Sequence, residues 1–133
     1  MNTETGRMNT LCIVESAYRA TLEEQDDTIL WLVRALRGAG AQLSLLLRGN
    51  AVNYLTPGHD CSSLSIAGQK LGHPPVLDAD VRAVAAQGVP VYVVREDLAD
   101  RGLAPSGFAS GIIAVSRSEV PALFERHERI WHW

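Results

Sequence analysis

At 133 residues, 47% of them hydrophobic, the chain has the length of one domain and enough apolar material for one core. A formal charge of −3, from 12 Lys and Arg against 15 Asp and Glu, argues against a broad nucleic-acid face, which needs clustered cations. The start is polar, no window approaches the ~18 apolar residues of a membrane span, and two cysteines make no disulfide framework, so a cytoplasmic protein with free thiols and no membrane contact is expected.

Residues 1–9 are polar and expected to be disordered, which leaves 10–133 as a single domain. Leu11, Cys12, Ile13 and Val14 form a short apolar run that reads as a first strand, with residues 15–21 as the loop behind it. Over 23–39, Ile29, Leu30, Leu32, Val33 and Leu36 recur at helical spacing. Glu23, Glu24, Asp26 and Asp27 fall at the positive end of that helix dipole, and Arg34 and Arg37 at the negative end. Gly38 and Gly40 end it. Residues 41–47 follow as a second strand, and the near-continuous Leu43, Leu45, Leu46 and Leu47 mark it as central in a sheet covered on both faces.

From 56 to 75 the periodicity fails, and Pro57, Gly58, Gly68, Gly72, Pro74 and Pro75 punctuate a loop of the length that is usually functional or mobile. A helix over 78–87 comes next, with Asp78 or Asp80 as its N-cap and Val81, Val84 and Ala85 as its apolar residues. Val91, Tyr92, Val93 and Val94 make a strand of the kind buried in a parallel sheet. It runs directly into a one-turn helix with Glu96 and Asp97 in its first turn, Arg101 in its last and Gly102 at C′. A strand over 111–115 and a helix over 119–127, whose carboxyl end suits His127, complete the pattern. Strands alternating with helices predict an α/β fold with a mostly parallel sheet of about five strands.

The segment Val91-Tyr92-Val93-Val94-Arg95-Glu96-Asp97-Leu98-Ala99-Asp100-Arg101-Gly102-Leu103 resembles the DsrH/TusB branch of the DsrE/DsrF/DsrH superfamily of sulfur-relay proteins. There a Val-Tyr strand leads into a Glu-Asp-Leu helix and an Arg-Gly-Leu ending. Trp131-His132-Trp133 is similar to the tryptophan that closes some members. Leu47-Arg48-Gly49-Asn50-Ala51-Val52-Asn53-Tyr54 looks closer to the DsrE branch. The resemblance implies a three-layer, flavodoxin-like domain that assembles as a homo-oligomer, whether dimer, trimer or hexamer. It also implies other sulfur-relay proteins as partners, and a part in persulfide sulfur transfer for tRNA thiolation or sulfur oxidation. No cofactor is expected. In the DsrE branch a cysteine eight residues before the Arg-Gly glycine carries the persulfide; here that position is Val94.

Cys61, in His59-Asp60-Cys61-Ser62-Ser63, is the candidate sulfur acceptor, with His59 as a candidate base able to lower a thiol pKa and Asp60 working against it. The same residue also reads as a loop cysteine without a role. Cys12, in mid-strand, is expected in the core. His59, Cys61 and His73 are ligand types within one loop but match no zinc spacing, so no metal site is expected.

In a parallel sheet the strand ends converge on one rim, here Glu15, Ser16 and Tyr18, then Arg48, Gly49 and Asn50, then Arg95 and Glu96. Arg48 and Arg95 could hold a small sulfur oxyanion or a partner's carboxylate there, or pair with local acids such as Glu15 and Glu96. Ile130, Trp131 and Trp133 need cover, from a neighbouring subunit or from the chain's own core. Two functions follow from these features. One is a sulfur-relay protein, at most a sulfur transferase, accepting and passing persulfide sulfur on Cys61. The other is a non-catalytic, TusB-like binding or assembly subunit that works through the rim. No Gly-x-Ser-x-Gly elbow, Walker loop or His-Glu-x-x-His points to a hydrolase.

Overall fold

Leu11, Cys12, Ile13 and Val14 are all fully or almost fully buried, so the first strand needs neighbours on both edges and cover on both faces. A computed structural model, which describes residues 8–18, 27–57, 65–70, 76–104 and 106–133, shows how it obtains them. In chain order the elements are β1 (Met8–Val14), α1 (Thr28–Gly38), β2 (Leu43–Leu47), a 3-10 helix (Gly49–Leu55), β3 (Ser65–Ile66) and β4 (Gln69–Lys70). Then come α2 (Leu77–Ala86), β5 (Val91–Val94), α3 (Arg95–Asp100), β6 (Ile112–Val115), a 3-10 turn (Arg117–Glu119), α4 (Val120–Glu125) and β7 (His127–His132). Five strands form an all-parallel sheet in the order β6-β5-β2-β1-β7, and β3 pairs antiparallel with β4 apart from it.

The layers follow from the handedness of the connections. The steps β1 to β2, β2 to β5 and β5 to β6 all move the same way across the sheet, so right-handed crossovers put α1, α2 and α3 on one face. The step from β6 to β7 reverses direction and carries α4 to the other face, which gives a three-layer α/β domain. Strand alternation serves both cores. Cys12, Val14, Leu45, Leu47, Val91 and Val93 meet Leu30, Val33, Val81, Val84 and Leu98 on the first face. Leu11, Ile13, Leu46, Val94 and Val115 meet Val120 and Leu123 on the second. Each such buried Leu or Val contributes on the order of 1.5–3 kcal/mol.

Several elements differ from their sequence reading. β1 starts at Met8, inside the stretch expected to be disordered; the rest of that stretch, 1–7, lies outside the described residues. Asp27 is the N-cap of α1, its carboxylate accepting from the amides of Ile29 and Leu30 at 2.9 and 3.2 Å, and residues 19–26 before it lie outside the description. Val76, not Asp78 or Asp80, occupies the N-cap position of α2; the two aspartates sit in its first turn, where Asp78 bridges to Arg82 at 2.9 Å. The last helix stops at Glu125, and the tail returns as β7. The reason is tertiary: β1 needs a partner on its outer edge, and every second residue of 127–132 turns its backbone groups to β1. His127 is therefore the first residue of a strand and buried, with its ring still bonded to the Leu123 carbonyl in the last turn of α4 at 2.8 Å. Among the described residues no helix is long and apolar enough to cross a membrane.

Candidate functional site at the strand ends

The carboxyl ends of β1, β2, β5 and β6 surround a cavity of about 400 Å³ lined by Glu15, Arg48, Gly49, Val94, Asp97, Arg117, Val120 and Pro121. It lies where ligands of open parallel sheets collect, beyond the carboxyl ends of the strands. Its floor is apolar, from Val94 and the start of α4. Two guanidinium groups and two carboxylates make its walls.

Arg48 is the first residue past β2. Its Nε donates to Glu15 Oε1 at 2.9 Å, and His132 Nε2, at the end of β7, meets the same oxygen at 2.9 Å. Arg48, then His132, hold the Glu15 carboxyl below its usual range. Gly49 follows with φ +59, which favours glycine, and a Cβ there would sit 3.0 Å from the Glu15 Cγ, so a larger residue would press on the Glu15 side chain. Its amide donates to Asp97 Oδ2 at 2.8 Å, while Arg117 donates to Asp97 Oδ1 at 2.7 Å. Burial pushes the Asp97 pKa up, but the Gly49 amide and Arg117 outweigh it and the net shift is downward.

Arg117 is itself held from behind. Its amide donates to Glu96 Oε1 at 2.8 Å, and the turn that carries it is closed by a capping box in which the Ser116 amide donates to Glu119 Oε1 at 2.7 Å. The rim is thus a connected chain: Glu15 with Arg48, the adjoining Gly49 with Asp97, and Asp97 with Arg117.

The sequence-predicted residues divide. Glu15 and Arg48 line the cavity, and Glu96 positions Arg117 behind it. Ser16 is exposed beside Glu15. Arg95 does not share the cavity with Arg48: its guanidinium turns to the Ala114 carbonyl at 3.4 Å, and Arg117 supplies the second cation instead. Asn50 accepts from Arg101 at 2.8 Å and is not part of the lining. Tyr18 sits behind the rim, its amide bonded to the Tyr54 hydroxyl and its ring edge-on to that of Tyr54 at 5.5 Å. Trp131 and Trp133 stack edge to face at 6.0 Å at the β7 edge, with Trp133 packed on the core. Cys61 and His59, with His73, lie outside the described residues.

The sequence reading leaves Arg117 out of this site and has Asp97 only as part of the acidic Glu96-Asp97 turn that serves it. The available signal was position: Arg117 follows β6 by two residues much as Arg48 follows β2 by one, and Ser116-x-x-Glu119 is a readable cap. Cys12 is buried as expected, and desolvation pushes its thiol up to about 11. Among the described residues no group of His, Cys, Asp and Glu is placed to hold a metal ion.

No protein-family model and no curated protein matches the chain. Among solved structures it is similar to the ychN protein of E. coli, with 21% identity and a TM-score of 0.65 over 95% of this chain and 100% of that one. A conserved protein of unknown function from Bacteroides thetaiotaomicron matches at 11% identity and a TM-score of 0.60, over 94% of this chain and 95% of the other. One from Methanobacterium thermoautotrophicum matches at 15% and 0.56, over 92% and 98%. At these identities what is shared is the fold.

Proposed function

We propose that the chain is a binding subunit of a DsrE/DsrF/DsrH-type sulfur-relay system, and that its strand-end cavity takes a small sulfur oxyanion between Arg48 and Arg117. The observation that carries this reading is Val94. It stands where the DsrE branch has its persulfide cysteine, and it lines a cavity that has two guanidinium groups and no thiol among the described residues. Each guanidinium has five N–H donors, and Glu15 and Asp97 occupy only some of them while fixing the orientation of the rest. The resemblance in sequence and the fold shared with the ychN protein support the superfamily part of the proposal; the cavity supports the binding part.

Calorimetric titration with thiosulfate tests it. The wild-type protein binds, and Arg48→Gln and Arg117→Gln each weaken binding at least tenfold, which corresponds to about 1.4 kcal/mol. Absence of binding, or equal affinity in all three proteins, removes the proposal.

The burial of Cys12 favours a second reading for the other cysteine. With the Cys12 thiol held neutral in the core, Cys61 is left as the chain's candidate sulfur carrier. Intact-mass spectrometry after incubation with a persulfide donor separates the two functions. One added sulfur that survives Cys12→Ser but not Cys61→Ser indicates a relay protein with a relocated carrier thiol. No added sulfur on any variant leaves the binding subunit.

A further inference from the structure

β7 closes one edge of the sheet, and among the described residues nothing pairs with its outer side. The direction of its backbone groups can be read from the next residue. The Trp133 amide donates to the Ile13 carbonyl at 3.0 Å, and the Trp133 carbonyl accepts from the Glu15 amide at 3.0 Å. Odd-numbered residues of this segment therefore turn their N–H and C=O toward β1. Strand alternation turns those of Glu128, Ile130 and His132 outward.

We propose that a second copy of this chain pairs with that edge, antiparallel about a two-fold axis through Ile130, so that the five strands of each copy form one continuous sheet. Antiparallel pairing of a strand with its own copy must set outward-bonding residues opposite one another. About Ile130 all of them find partners: Ile130 exchanges both bonds with the partner's Ile130, Glu128 with the partner's His132, and His132 with the partner's Glu128.

The side chains select the same register. Glu128 faces the partner's His132, and Arg129 faces the partner's Trp131, an acid on an imidazole and a cation on an indole. Sliding the pair by two residues in one direction puts Arg129 opposite itself, and by two more puts Glu128 opposite itself, both like-charge contacts. Sliding the other way puts Ile130, not Glu128, opposite the partner's His132 and so breaks the acid–imidazole pair. Charges on an edge strand ordinarily keep other strands away; these are ordered so that they attract their own copy. Apolar surface is concentrated at the same place, with Ile130 38% and Trp131 37% exposed beside Leu32 and Leu36 of α1.

The assembly reaches the cavity. His132 already meets Glu15 on the rim, so the partner's Glu128 would stand next to it as a carboxylate that one copy alone does not supply.

Light scattering on the eluting wild-type protein should give twice the 14.4 kDa chain mass or an even multiple of it. In a Cys61→Ser background, Ile130→Cys should give a disulfide-linked dimer on mild oxidation. That residue lies on the axis, and a hydrogen-bonded pair has Cα atoms ~5.5 Å apart, within disulfide reach. Glu128→Arg, at an exposed position, should weaken self-association at least tenfold. A monomeric wild type overturns the proposal, as does an assembly that Ile130→Cys does not link and Glu128→Arg does not weaken. Thiosulfate affinity is a separate readout, so failure here leaves the cavity's ligand undecided by this experiment.

Discussion

Asp97 accepts a hydrogen bond from the Gly49 amide at 2.8 Å and so ties the first turn of α3 to the end of β2 across 48 residues of sequence. The same carboxylate orients Arg117, which makes it the joint between the two cationic walls of the cavity.

Replacing Asp97 by Ala should cost about 1–3 kcal/mol, because the Gly49 amide is left without its acceptor and Arg117 keeps only the more distant Asp100, at 3.8 Å. Asp97→Asn, which keeps an acceptor for Gly49, should cost less in stability yet still weaken thiosulfate binding. The folded pKa lies below the unfolded value of ~3.9. The stability contributed is therefore present above that value and lost as pH falls through the folded pKa. Urea midpoints measured from neutral pH downward check this, and an acid-side slope unchanged in Asp97→Asn would count against it.

A second joint lies behind the rim. Asp27 is fully buried; one of its oxygens caps α1, and the other accepts from the Tyr54 hydroxyl, which in turn accepts from the Tyr18 amide. Burial and the neighbouring Asp27 push the Tyr54 pKa up, so the phenol stays a donor. Tyr54→Phe removes the donor to a buried carboxylate and should cost about 1–3 kcal/mol by denaturant titration. A cost near zero would show that the carboxylate has found another partner.

His127 supplies a pH dependence on the neutral side. Leu123 O can only accept, so Nδ1 at 2.8 Å carries the proton, and Nε2 accepts from the Ser44 hydroxyl at 3.0 Å. Burial holds the imidazole pKa below its ordinary value, and Arg126 lowers it further, against the bond to Leu123. The unfolded chain thus takes up the proton first. The stability contributed is present above ~6.5 and lost as pH falls through the folded value. Between about pH 8 and pH 5 the wild type should lose more stability than His127→Gln, and parallel curves for the two proteins would falsify this.

Local chemistry was readable from the residues alone. Gly102, expected at C′, takes φ +67, and the amides of Gly102 and Leu103 reach back to Ala99 and Leu98 at 3.0 and 2.9 Å, a helix stop made entirely within six residues of sequence. The leucines of β2 and the valines of β5 announced strands buried on both faces, and both are interior to the sheet. The rim was legible in part for the same reason: once strands are parallel, Glu15 and Arg48 must fall at their carboxyl ends.

Other features exist only because distant segments meet. Residues 127–132 are a strand because β1 offers them an unpaired edge, and no local periodicity marks that. Arg117 rather than Arg95 faces Arg48 because Glu96 and Asp97 hold it there, while Arg95 turns to the backbone of β6. Glycine stops and apolar runs act through neighbours a few residues away, so the amino-acid order specifies them directly. An edge pairing or a guanidinium's direction is set by groups brought close only when the sheet has formed.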